Sequence, residues 1–140
     1  MSEPFEAGMA VRRSVLGDAH VDRALAEASA VTGPWQEYLT ETAWGKVWAR
    51  PGLDRRTRSM LTLALLTALR CEGELPMHVR AAIGNGVSPA EITEVLLHTS
   101  VYAGIPAANA AFGIAQRVLL ELAVPEAERP HDFGDLEGGT

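Results

Sequence analysis

Between Asp54 and Gly86 the chain reads DRRTRSMLTLALLTALRCEGELPMHVRAAIGNG, and from Met60 to Leu69 it carries no charge. A run this apolar must leave water. It is shorter than the roughly 20 residues that span a bilayer, and it opens on charged residues. Apolar nearly all round, it predicts a central, buried helix. A polar joint, Arg70-Cys71-Glu72-Gly73, leads into a second helix that carries Glu74 and His78. A spacing of four puts an acid and an imidazole on one helical face, one turn apart. A buried helix followed by a helix with that pair is the first place to look for chemistry.

The rest of the composition sets bounds. At 140 residues and 47% hydrophobic, the chain has the size and the apolar content of one domain. Its net charge of −6 disfavours nonspecific nucleic-acid binding, and an anionic ligand would need local cations. The single cysteine, Cys71, allows no intrachain disulfide and suits a reducing cytoplasm. Acids stand at the N-terminus where a signal peptide would carry lysines, so neither targeting nor a membrane is expected. Period-two strand patterns are nearly absent, which predicts an all-α protein.

Helices are predicted over Phe5–Leu16, from Asp18 (as N-cap) to about Ser29, and from Pro34 to about Ala49, the last with Trp44 and Trp48 on one face. Asp54 caps the central helix, and Arg55, Arg56 and Arg58 follow at once. Cations in a first turn oppose the helix dipole. Their offset is either carboxylates on a neighbouring helix or subunit, or an anionic ligand. The next helix must hold Pro76 in its first turn and stops at Asn85-Gly86. Ser88-Pro89-Ala90-Glu91 is a capping box for a helix to about Ala103, with His98 and Tyr102 on one face. A last helix, rich in alanine, runs from Pro106 to about Leu122. The predicted domain is 1–124. Residues 125–140, rich in Pro, Glu and Gly, read as a disordered tail.

Short connections predict that the helices 54–70, 73–85 and 88–103 are successive antiparallel neighbours. Counting back from the corner at Asn85 and Ser88 at about 1.5 Å per residue sets His98 level with residue 75, beside Glu74 and His78. The same count puts Arg58 at the opposite end, so sharing a site with Glu74 would require a subunit interface. Each group also has a plainer reading: Glu74–His78 as a solvated pair, His98 as a core imidazole, the tryptophans as core, Cys71 as inert. His20 and His131 are remote and no HExxH occurs, so no metal is expected.

The runs WARPGLDRRTRSMLTLALLTAL and EGELPMHVRAAIGNGVSPAEITEVLLHTSVYAGIPAANAAF, with RRSVLGDAHVDRA upstream, closely resemble the carboxymuconolactone decarboxylase family. The resemblance covers about residues 11–122. It implies an alkylhydroperoxidase D-like, all-α single-domain bundle around a buried helical hairpin, assembled as a homo-oligomer (trimer or hexamer). It implies no cofactor. Peroxidases of the wider superfamily need a CxxC pair with a histidine four residues on. Here Cys71-x-x-Glu74-x-x-x-His78 occupies that frame, and one thiol runs no intramolecular disulfide cycle. The departure points to acid–base work.

The implied reaction is loss of CO2 from 4-carboxymuconolactone, a small dianionic lactone, to give beta-ketoadipate enol-lactone in protocatechuate catabolism. The substrate supplies its own electron sink, because the leaving carboxylate is vinylogous to the lactone carbonyl. The protein must hold an anion, stabilise an oxyanion and protonate a ring carbon. The expected catalytic residues are Glu74, His78 and His98, with His78 as the donor. Arg58, Tyr102 and Trp44 are the expected substrate-binding residues: Arg58 on a carboxylate from a neighbouring subunit, Tyr102 as a hydrogen-bond donor, Trp44 as a wall. The alternatives are thiol chemistry at Cys71, a non-catalytic helical assembly module, or a related lactone as substrate.

Overall fold

A computed structural model describes residues 2–122, so the predicted tail at 125–140 lies outside the described residues. Among them every regular element is helical, in agreement with the all-α expectation. Seven α-helices follow in order: α1 (Glu3–Leu16), α2 (Asp18–Ala26), α3 (Gly33–Leu39), α4 (Arg55–Ala68), α5 (Leu75–Gly84), α6 (Pro89–Ala103) and α7 (Ile105–Glu121). A π-helical segment, Thr40–Trp48, continues α3. No helix of the described residues is long and apolar enough to cross a membrane. The described chain forms two compact units, one through Ser59 and one from Met60.

In the first unit, α1 lies against the π segment. Two glycines permit this approach. A Cβ on Gly8 would run into the carbonyl oxygen of Thr40, and one on Gly45 into that of Pro4. The backbones therefore meet with no side chain between them. Gly17, at φ 89°, separates α1 from α2. Gly17 is the N-cap of α2, where the sequence suggested Asp18. Asp18 instead sits in the first turn, and its Oδ1 accepts from Arg13 Nη1 at 3.1 Å. The uninterrupted α-helix expected over 34–49 is corrected as well: from Thr40 the ladder widens, and Ala49 N–H donates to Trp44 O, five residues back, at 3.0 Å. That widening is the π pattern.

In the second unit, α7 is the element on which both α5 and α6 pack. Alanines at 107, 108, 111 and 115 are buried, and so small a surface lets neighbouring helices come close. Leu63, Leu75, Val79, Ile92, Leu96 and Leu119 make up most of the apolar core around it. The caps follow the sequence. Ser88 Oγ accepts from Glu91 N–H at 3.1 Å and Glu91 Oε1 from Ser88 N–H at 3.0 Å. Gly86, at φ 92°, carries the chain out of α5.

Helix α4 departs from the expectation of a helix buried all round. Ser59, Leu63 and Thr67 lie on its buried side, and the Thr67 hydroxyl donates to Leu63 O at 2.7 Å. On the opposite side, Leu61, Leu65 and Leu69 are 49%, 59% and 70% exposed. The helix is thus apolar on two faces, of which the described residues bury one. A uniform apolar run does not distinguish a core face from an outer one.

Candidate active site

The turn between α4 and α5 is built from backbone. Arg70, two residues past the end of α4, has φ 59°, in the left-handed region that is rare for a residue with a Cβ. That twist lets Cys71 N–H donate to Leu66 O at 2.8 Å. Arg70 Nε donates to Glu72 Oε1 at 2.8 Å, and this bond holds the Glu72 carboxyl below its ordinary range. Glu74 N–H then donates to Cys71 O at 3.1 Å and closes the turn.

Glu74 is the N-cap residue of α5, and its side chain makes no capping bond. It is exposed. His78 N–H donates to Glu74 O at 3.3 Å, so the two residues stand one turn apart at the start of α5, as their spacing predicts. His78 is half-buried and its Nδ1 is out of reach of solvent. Leu75 and Val79 face the core and fix the rotation of the helix. The pair therefore offers an exposed carboxyl and, one turn on, a part-sheltered imidazole. Cys71, also half-buried, lies at the start of the same turn, with Sγ 3.8 Å from Leu69 O.

His98 is exposed, which rules out the core-imidazole reading. Its ring lies 5.3 Å from that of Tyr102, tilted by 38°. Tyr102 is 81% exposed, and Leu97 and Val101 beside them are exposed too. The level count that placed His98 beside Glu74 and His78 assumed that α5 and α6 lie side by side. Instead each packs on α7, so that count does not carry over.

Trp44 and Arg58 belong to the first unit. Trp44 is buried and its ring lies 5.0 Å from that of Trp48, as two residues sharing a face of the helix should. Arg58 is half-buried, and its Nη2 donates to Arg50 O at 3.2 Å. Arg55 Nη1 donates to Ser14 Oγ at 2.7 Å. Asp54 Oδ1 accepts from Thr57 N–H at 2.7 Å, capping α4 as predicted. Hydrogen bonding from the Thr57 side chain and then from its backbone N–H, with Arg56 nearby, draws the Asp54 carboxyl below its ordinary range.

One residue of chemical interest escaped the sequence reading. Arg12 on α1 is only 4% exposed, in a unit whose other basic side chains are more open. It donates from Nη2 to Gln36 Oε1 at 2.8 Å and from Nη1 to Thr40 Oγ1 at 3.1 Å. No motif marks it. The one signal is its place between Val11 and Val15, on the buried side of an amphipathic helix. Among the described residues no group of three or more His, Cys, Asp or Glu could hold a metal ion.

Comparison with known proteins gives a consistent result. Residues 33–117 match the carboxymuconolactone decarboxylase family. A 4-carboxymuconolactone decarboxylase of Acinetobacter baylyi is 46% identical over 120 residues, covering 86% of this chain and 90% of the relative. A nitrosuccinic acid decarboxylase of Metarhizium robertsii is also 46% identical, over 118 residues, covering 84% of this chain and 82% of the relative. A 4-carboxymuconolactone decarboxylase sequence of Pseudomonas putida is 54% identical over 41 residues, covering 29% of this chain and 85% of the relative.

Proposed function

Because the chain belongs to the carboxymuconolactone decarboxylase family, we propose that it decarboxylates 4-carboxymuconolactone to beta-ketoadipate enol-lactone without a cofactor. The observation that carries this reading is the 46% identity to a protein of that name across nearly the whole of both chains. The bond between the ring carbon and the leaving carboxylate breaks. Its electron pair moves through the ring alkene onto the lactone carbonyl oxygen, giving a dienolate and CO2. One proton delivered to the carbon alpha to that carbonyl restores the lactone. The substrate holds the electrons, so the protein's work is positioning, oxyanion stabilisation and proton delivery.

In this reading His78 delivers the proton. An imidazole whose unperturbed pKa is about 6.5 both gives and regains a proton near neutrality. Glu74, one turn earlier on the same face, returns the proton to His78. His98 or Tyr102 donates to the oxyanion or to the retained carboxylate. Arg58 of a second copy neutralises a carboxylate, and Trp44 excludes water. What supports a second copy is the exposed leucine face of α4 together with Leu97, Val101 and Ile105. We take the assembly to be a trimer or hexamer, working in the cytoplasm on a small dianionic lactone.

A second reading has equal identity behind it. Nitrosuccinic acid is also a diacid with a built-in sink, since loss of the carboxyl next to the nitro group leaves a nitronate. Both relatives thus act on diacids whose own substituent accepts the electron pair. The test is an ultraviolet assay with 4-carboxymuconolactone generated in situ, run beside nitrosuccinate, on wild type, His78→Ala and Glu74→Gln. Fast loss of the lactone in wild type, and a fall of 100-fold or more in kcat for His78→Ala, are expected. Wild-type turnover in both folded variants would remove these two residues from the mechanism. Turnover of nitrosuccinate alone would move the substrate to the second reading.

A further inference from the structure

We propose that Arg70 holds the carboxylate the reaction leaves in place, and so selects diacids as substrates. The proposal rests on the decarboxylase reading for the identity of the ligand. It departs from that reading in giving Arg70 the anion-holding role otherwise assigned to Arg58. That role then stays within the unit that carries Glu74 and His78.

Arg70 stands where a side chain is poorly tolerated. Its N–H donates to Thr67 O at 3.2 Å, and the next N–H, of Cys71, to Leu66 O at 2.8 Å. This pair of bonds is the Schellman ending of a helix, whose left-handed residue is usually glycine. Arginine at φ 59° carries a Cβ strain that glycine avoids. Packing offsets little of it, because the side chain is 51% exposed. Its bond among the described residues runs from Nε to Glu72 Oε1 at 2.8 Å. An exposed ion pair of this kind adds little stability. A strained position filled by a long, open cation points to a use for that cation outside the fold.

The cation belongs to the corner from which Glu74 and His78 begin. Glu74 N–H donates to Cys71 O, so residues 71–74 close a turn whose ends lie within about 7 Å of each other. Arg70 precedes that turn by one residue, and His78 lies one helical turn beyond it. The side chains of Arg70 and Glu74 are open to solvent, so a ligand reaches this corner without displacing part of the fold. Among the described residues of the second unit the other cations are Arg80 and Arg117. Arg80 is paired with Glu121, and Arg117 stands on α7, outside the α4–α5 turn. Glu72 fixes the Nε side of Arg70, and no bond among the described residues takes Nη1 or Nη2. These two nitrogens form a terminal fork that meets a carboxylate with two parallel N–H···O bonds. A cation on the leaving carboxylate would stabilise the substrate over the transition state, in which that charge moves onto the lactone oxygen. The fork therefore belongs on the retained carboxylate, which is charged throughout. In a protein of net charge −6, a dianion needs such a local cation.

Two variants, Arg70→Gly and Arg70→Asn, remove the guanidinium and suit the left-handed backbone. Each is assayed on 4-carboxymuconolactone and on nitrosuccinate. Each is also assayed on the methyl ester of the retained carboxylate of whichever substrate the wild type turns over. Thermal melts are taken alongside, with and without succinate, a diacid that has no electron sink. Both variants are expected to raise KM for the diacid about tenfold or more, the loss of a charged hydrogen-bonded pair, with a smaller change in kcat. Their kcat/KM for the ester is expected to stay close to that of wild type, because the ester makes no ion pair to lose. A smaller rise in KM for the diacid, or equal losses on diacid and ester, overturns the proposal, and one folded variant is enough to show either. If wild type turns over neither substrate, the decarboxylase reading fails and succinate decides. A rise in the melting temperature of wild type with succinate, lost in Arg70→Asn, then upholds a carboxylate site at Arg70. A rise that is absent, or unchanged in the variant, removes it.

Discussion

Single residues set the local chemistry and its response to pH. The Asp54 carboxylate accepts from Thr57 N–H and its pKa is lowered. A carboxyl whose folded pKa is depressed contributes stability that is fully present above its unfolded pKa, about 3.9 for aspartate. That contribution is lost as pH falls through the lower folded value. Glu72, lowered by Arg70, behaves alike. Asp54→Asn should therefore melt below wild type at neutral pH, and the difference should shrink as thermal melts are taken to more acid conditions. Ser88 offers a pH-independent comparison. Ser88→Ala breaks the reciprocal cap of α6 and should cost about 1 kcal/mol in urea unfolding.

Helices and their crossings carry larger effects. Gly8→Ala and Gly45→Ala each drive a methyl group into a carbonyl oxygen of the facing backbone. Neither oxygen belongs to a flexible side chain, so each variant should lose about 3 kcal/mol or fold poorly, as overpacking against a rigid surface does. Thermal melts with far-ultraviolet circular dichroism read this directly. At this scale the sequence was readable wherever local chemistry decides. The Ser88–Glu91 box, the Asp54 cap, the Gly86 exit and the one-turn spacing of Glu74 and His78 all follow from near neighbours in the chain. Three features were not readable, each for a physical reason. The widening at Thr40 involves no marker residue, and the stretch 34–49 reads as an ordinary amphipathic helix. The level of His98 relative to Glu74 depended on which helix α5 packs against, and α7 arrives from later in the chain. Arg12 is unusual only because of what surrounds it, and its partners lie 24 and 28 positions away.

Across the whole molecule, the described chain leaves Leu61, Leu65 and Leu69 on one side of α4 and Leu97, Val101 and Ile105 around the end of α6 in contact with water. The proposed oligomer would cover such faces, and an isologous or ring contact repeats every gain in each copy. Burying one leucine side chain is worth about 2 kcal/mol. Leu65→Glu and Val101→Glu should therefore shift the protein to a smaller species in size-exclusion chromatography with light scattering, with helical content kept. Wild-type mass in both variants would point to another contact surface. The outward leucines of α4 carry a further consequence through mass action. If folding is completed only when copies meet, the native state is one product of a concentration-dependent equilibrium. The melting temperature then becomes a function of how much protein is in the cuvette, rising with each tenfold increase, and a chain diluted far enough loses stability although none of its bonds has been altered.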